Sequence, residues 1–184
     1  MTDPILKIKP ISHKSPEEKN LFIEWFYQIP SVRGVKEKDN VIEVHFNKEE
    51  IPEDDQHDLA AIFYRFKMDI EPLNELLKKN GTGWLFKQNG NPNHHNVWPN
   101  KEKPGFAKEA LVCGKIDYFS QLDESLFFIW LDRINSVINR EGIKQKLYLH
   151  VKKEDLTEAD YQELKALFEL YGVDTKQLKT LKKI

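Results

Sequence analysis

The feature that most constrains this chain is its likeness to itself. Slid along its own length by 105 positions, it aligns residues 5–79 with residues 110–184 without a gap, and 21 of those 75 pairs are identical. Unrelated chains of ordinary composition match at roughly one position in sixteen, which is about five in a stretch this long. The agreement is also physical. LFIEW (21–25) meets LFFIW (126–130), VHFNKEEIPEDD (44–55) meets LHVKKEDLTEAD (149–160), and LAAIF (59–63) meets LKALF (164–168). Apolar positions keep their places, and so do the residues that start helices. A chain of this kind is expected to build one supersecondary unit twice.

Within the unit, periodicity sets the element types. ILKIKPI (5–11) and ALVCGKI (110–116) read as short strands, with Cys113 opposite Ile8 and therefore a small buried hydrophobe. Ser15-Pro16-Glu17-Glu18 is a capping box with proline at the first helical position, and Ser120 and Asp123 repeat the arrangement. Leu21, Phe22, Trp25, Phe26 and Ile29 then lie on one side of a helix, which makes Trp25 and its equivalent Trp130 core residues. SVRGV, a polar turn KEKDN and VIEVHF (41–46) predict a hairpin, matched by KLYLHV (146–151). Alternation turns Ile42, Val44 and Phe46 to one face and Glu43 and His45 to the other. His45 and His150 occupy equivalent positions and read as half-buried strand histidines. A second helix is expected over 53–66 and 158–171, capped in the later copy by Thr157 and left through Gly172. Asp69 and Asp174 start a short third helix that carries Leu73 and Leu76, or Leu178 and Leu181.

The expectation is thus an α+β chain of two tandem β-α-β-β-α-α repeats, helices packed on small antiparallel sheets, in a pseudo-two-fold arrangement. Its parts are a first repeat over 1–79, an aromatic-containing polar linker over 80–105, and a second repeat over 106–184. The linker is rich in Asn, Gly and Pro, which punctuate structure, yet it carries Trp84, Phe86 and Trp98.

Composition narrows the function classes. Apolar residues make up 40% of the chain, enough for a packed core. Charged residues reach 32% yet balance to a net −2, so no chain-wide field favours nucleic acid or an anionic membrane. Cys113 is the single cysteine, which removes a disulfide framework or a cysteine-based metal site and suits a reducing cytosol. The opening residues lack the continuous apolar core of a secretion signal, and no window approaches the length of a membrane span. A monomeric cytoplasmic protein is expected.

Chemistry-bearing motifs are few. There is no G-x-x-x-x-G-K-[ST], G-x-G-x-x-G, G-x-S-x-G or H-E-x-x-H. Asn91-Pro92-Asn93-His94-His95-Asn96 invites a metal or HNH-nuclease reading, but adjacent histidines diverge on regular backbone and no further ligands stand at a suitable spacing. The densest charge lies at Glu49-Glu50-Ile51-Pro52-Glu53-Asp54-Asp55, with Asp58 one turn on. Acids favour a helix N-terminus, and the later copy keeps Glu158 and Asp160 for that purpose. The surplus in the earlier copy goes beyond it: residues 1–79 hold 12 Lys and Arg against 16 Asp and Glu, whereas residues 106–184 hold 13 of each. An acidic helix mouth of this kind is suited to a basic protein partner.

The run IEWFYQIPSVRGV…VIEVHF…DLAAIFYRFKMDIEPLNEL, followed by WLF, resembles small bacterial immunity proteins that accompany contact-dependent inhibition and other polymorphic toxins. The shared motif is a helix ending in aromatic-Arg-aromatic-x-x-Asp, here Tyr64-Arg65-Phe66-Lys67-Met68-Asp69; the second copy has Leu170 in place of the arginine. The resemblance implies a non-enzymatic protein without a cofactor that binds and neutralises a cognate toxin, a basic nuclease domain among the candidates, without touching nucleic acid itself. The expected partner contacts are Glu50, Glu53, Asp54, Asp58, His94, His95 and Trp98. The competing readings are a metal-dependent nuclease using His94 and His95, and a non-catalytic interaction module.

Overall fold

A computed structural model describes residues 4–47, 51–79 and 110–181. The chain divides into two compact units: Met1–Pro92 with Phe119–Leu126, and Asn93–Tyr118 with Phe127–Ile184. The break expected near residue 106 does not anticipate that residues 119–126 belong with the first unit; the side chains that draw them there are described below.

The first unit runs β1 (Ile5–Ile8), α1 (Pro16–Gln28), β2 (Val32–Lys38), β3 (Val41–Phe46), α2 (Glu53–Arg65) and α3 (Glu71–Lys79). Then come β4 (Leu111–Cys113), α4 (Gln121–Arg133), β5 (Val137–Ile143), β6 (Lys146–Val151), α5 (Glu158–Leu170) and a final 3-10 helix, Thr175–Thr180. The fold is α+β, with two antiparallel three-stranded sheets ordered β1-β3-β2 and β4-β6-β5. Each sheet carries a register shift at the start of its hairpin, between Val32 and Gly34 and between Val137 and Asn139.

Local chemistry explains the element ends. The Ser15 hydroxyl accepts the Glu18 N–H at 3.0 Å, and Glu18 reaches back to the Lys14 N–H at 2.6 Å, which satisfies donors that the first turn of α1 leaves open. Ser120 and Asp123 do the same for α4, at 3.1 Å to the Asp123 N–H and 2.8 Å to the Phe119 N–H. Thr157 caps α5 through the Asp160 N–H at 3.0 Å. Helix α2 leaves through Lys67, at φ 53°, and α5 through Gly172, at φ 69°. In both exits a backbone N–H one residue later returns to the helix, Met68 to Phe63 at 2.8 Å and Val173 to Phe168 at 2.7 Å.

Three expectations shift in detail. The opening strands are shorter than read, Ile5–Ile8 and Leu111–Cys113; in the first, Pro10 has no N–H to extend the ladder. The hairpin turn is two residues rather than five: Lys36, Glu37 and Lys38 belong to β2, and only Asp39 and Asn40 turn, both at positive φ. That geometry matches the twist of the flanking strands, and Lys144 and Gln145 adopt it in the later hairpin. The last helix of the second unit is 3-10 where α3 is α-helical.

Each unit has its own core. Leu6, Ile8, Ile42, Val44 and Phe46 line the inner face of the first sheet under Leu21, Phe22, Trp25, Phe26, Leu59 and Phe63. In the second, Leu111, Cys113, Leu147 and Leu149 lie under Phe127, Trp130, Leu131, Leu164 and Phe168. An aromatic triad recurs with the same spacing. Phe22 meets Phe66 at 4.9 Å and His13 at 5.2 Å; Phe127 meets Tyr171 at 4.8 Å and Tyr118 at 5.7 Å. Three of these contacts are edge-on and the His13–Phe22 pair is tilted, and ring pairs of this kind add to what area burial supplies.

Candidate functional site: the acidic opening of α2

The acidic segment enters α2 through Pro52, which offers no capping side chain. Gln56 donates its side-chain amide to the Ile51 carbonyl at 2.7 Å, which ties the first turn to the residue just before it. Asp55 turns inward: it is buried, and its Oδ2 accepts the Ser31 N–H at 2.8 Å. One carboxylate therefore ties the helix start to the β2 approach. Glu53 and Asp54, which precede it on the same turn, are exposed.

Glu53 and Asp54 are exposed on the first turn, and His57 stands one turn on with its Nε2 3.8 Å from Glu53 Oε1. Asp58 differs from its expected setting as a solvent-facing contact. It is half-buried and bonded to the Ser120 side chain. Burial raises its pKa above the ordinary aspartate value and the nearby Asp55 and Asp54 add to the rise, while the Ser120 bond and His57 oppose it. Glu50, His94, His95 and Trp98 lie outside the described residues, as does the 80–105 linker. The structure thus brings Glu53 and Asp54 together at one exposed turn and places Asp58 beside Ser120.

The equivalent turn of α5 is chemically quieter. Glu158 accepts from the Gln162 amide at 2.6 Å, Ala159 stands where α2 has Asp54, and Asp160 is buried. Glu163, equivalent to Asp58, accepts the Trp130 indole N–H at 3.1 Å. Asp58 is one methylene shorter and is held by Ser120 instead, and the buried Trp25 indole N–H has no hydrogen-bond partner.

The aromatic-Arg-aromatic motif has a structural role. Arg65 Nε donates to Asp123 Oδ1 at 3.1 Å and Nη2 donates to Oδ2, with Arg65 7% and Asp123 0% exposed. The guanidinium also lies 4.7 Å from the centre of the Phe119 ring, and Tyr64 packs on the same ring at 5.7 Å. A planar fork on a carboxylate with an aromatic beneath it is the geometry for which arginine is suited and lysine is not. These contacts, with the Asp58–Ser120 bond, hold residues 119–126 in the first unit. Leu170, where the second unit lacks the arginine, is half-buried.

The remaining candidates are quiet. Burial pushes the Cys113 thiol up to about 12, so it carries almost no thiolate at neutral pH. His45 and His150 are half-buried on the outer sheet faces, 3.6 Å from Glu43 and 3.9 Å from Glu141, too far for hydrogen bonds. Among the described residues, no three His, Cys, Asp or Glu side chains gather as a metal site, and no helix is long and apolar enough to cross a membrane. No family model, curated protein or solved structure matches this chain.

Proposed function

We propose that the protein is an immunity-type inhibitor that binds and neutralises a cognate toxin domain, with the opening of α2 as part of its contact surface. The observation that carries this reading is the division of labour among adjacent carboxylates. Asp55 is buried on the Ser31 N–H, while Glu53 and Asp54 face water on the same turn. The helix start is held without those two charges, so they are free to serve recognition. They sit at the positive end of a helix dipole, a position that favours negative charge. A basic partner would be steered by them and meet them with little reorganisation.

The test is co-purification with the product of the neighbouring gene, followed by titration of the purified pair. The expected result is a one-to-one complex whose association slows as salt rises. Glu53→Gln with Asp54→Asn should reduce affinity by about tenfold, in line with two charge pairs at about 0.7 kcal/mol each. No complex with the neighbouring product, or affinity indifferent to salt and to both substitutions, overturns the reading.

A further inference from the structure

The outer face of the first sheet carries a charge pattern that its fold does not require. Pairing sets Lys7 and Lys36 on either side of Glu43, and Lys38 beside Val41. Lys9 follows Lys7 by two residues and, like Lys7, Lys36 and Lys38, is exposed. Lys36 and Lys38 therefore form a lysine rail along β2, about 7 Å apart, and Lys7 of β1 faces it about 10 Å away across the central strand. Glu43 is the one outward carboxylate of β3, and it is held low by its bond to Lys7. His45 lies beyond it, between Ile5 and Gly34.

The second sheet, with the same strand order, has Val112, Gly114, Glu141 and Ile143 at the equivalent four positions, and Ile143 is buried. The lysines are thus not needed to build such a sheet. Lys9 and Lys36 make no ion pair among the described residues, so their charge is not used within the unit. Lys19, on the helix side of the same edge, does pair, with Glu37 at 3.1 Å.

We infer that this face docks an acidic, extended segment of a partner protein. An extended strand bearing Asp or Glu at alternate positions repeats every 6.6–6.8 Å or so on one side, which is the spacing of Lys36 and Lys38 along β2. Charge complementarity selects the occupant, and exposed Ile5 on the same face offers it an apolar foothold. A nucleic-acid strand fits less well. The face has no exposed ring on which bases stack, and Glu43 stands in the path of the phosphates. The surface is separate from the acidic turn of α2, so the inference does not depend on the partner being a toxin.

Fluorescence anisotropy of the full chain at low salt tests it, with a labelled peptide of alternating Glu and Thr as probe. Its Gln-Thr analogue and an oligothymidine of equal charge serve as comparisons. The Glu-Thr peptide should bind and the Gln-Thr peptide should not. Lys36→Gln with Lys38→Gln should weaken binding about fivefold while leaving the circular dichroism unchanged. Glu53→Gln with Asp54→Asn should leave peptide binding intact, which separates this surface from the proposed function. Equal or tighter binding of the oligothymidine, no binding of the Glu-Thr peptide, or indifference to the lysine substitutions overturns the inference. So does salt-sensitive self-association that the lysine substitutions abolish, since the occupant would then be a second copy.

Discussion

Replacing Arg65 with leucine, the residue at the equivalent position 170, tests whether the aromatic-Arg-aromatic motif acts through its buried ion pair. The substitution removes two charge-assisted hydrogen bonds to Asp123 and a cation lying 4.7 Å from the Phe119 ring centre. Asp123 stays at 0% exposure, still accepting the Phe119 N–H at 2.8 Å but without its counter-charge. Breaking a buried pair from one side costs about 3–5 kcal/mol. Leucine returns part of that through its own apolar burial, so about 3 kcal/mol is expected. Asp123→Asn should cost a similar amount, because the guanidinium is then the uncompensated charge. The double variant removes both charges and should lose much less than the sum, with a coupling energy of about 2–3 kcal/mol. Urea unfolding followed by far-UV circular dichroism measures all three, with an unchanged m-value as the control. In thermal unfolding the single variants should melt about 6–12 °C lower. If the two units unfold in separate transitions, the loss should fall on the first unit's. A loss below about 1 kcal/mol, the size seen for exposed pairs, or strict additivity in the double variant, would refute the buried-clasp argument.

Two further outcomes follow from differences between equivalent residues. Asp55→Ala should cost about 1–3 kcal/mol by leaving the buried Ser31 N–H unpaired, whereas Asp160→Ala should cost less than half as much, because one Asp160 oxygen is buried with no partner; denaturant titration of both variants decides it. His13 has its pKa lowered, chiefly by burial and secondarily by Lys19, with Glu37 opposing. The unfolded state then binds the proton more tightly, so the His13 contribution is complete above the unfolded value and declines as pH falls through it. His13→Tyr, which installs the residue found at 118, should flatten the loss of stability between pH 7 and pH 5; an unchanged slope would count against the assignment.

Much of this molecule was legible without coordinates, for a local reason. Helix starts are written in side chains that bond backbone groups two or three residues away, so Ser15, Ser120, Thr157, Asp69 and Asp174 announced their helices. The alternation of Ile42, Val44 and Phe46 likewise set the inner sheet face. Hairpin length was less legible, because Lys36 to Lys38 are polar whether they turn or lie on an exposed strand. The site was legible only in part: Glu53 and Asp54 are exposed as read, but Asp58 is committed to Ser120, 62 residues away along the chain.

What the sequence determined by itself was therefore each element and the face it buries, since both follow from contacts within a few residues and from hydrophobic period. Tertiary structure alone decided which charges are spent internally. Asp55 on Ser31, Asp58 on Ser120 and Arg65 on Asp123 are pairs between residues 24 to 62 positions apart. Nothing in the spacing of a carboxylate along a helix distinguishes one that will meet a buried donor from one that will meet water. Only the packing of distant segments sets the local dielectric and the partner, and these separate Asp55 from Asp54.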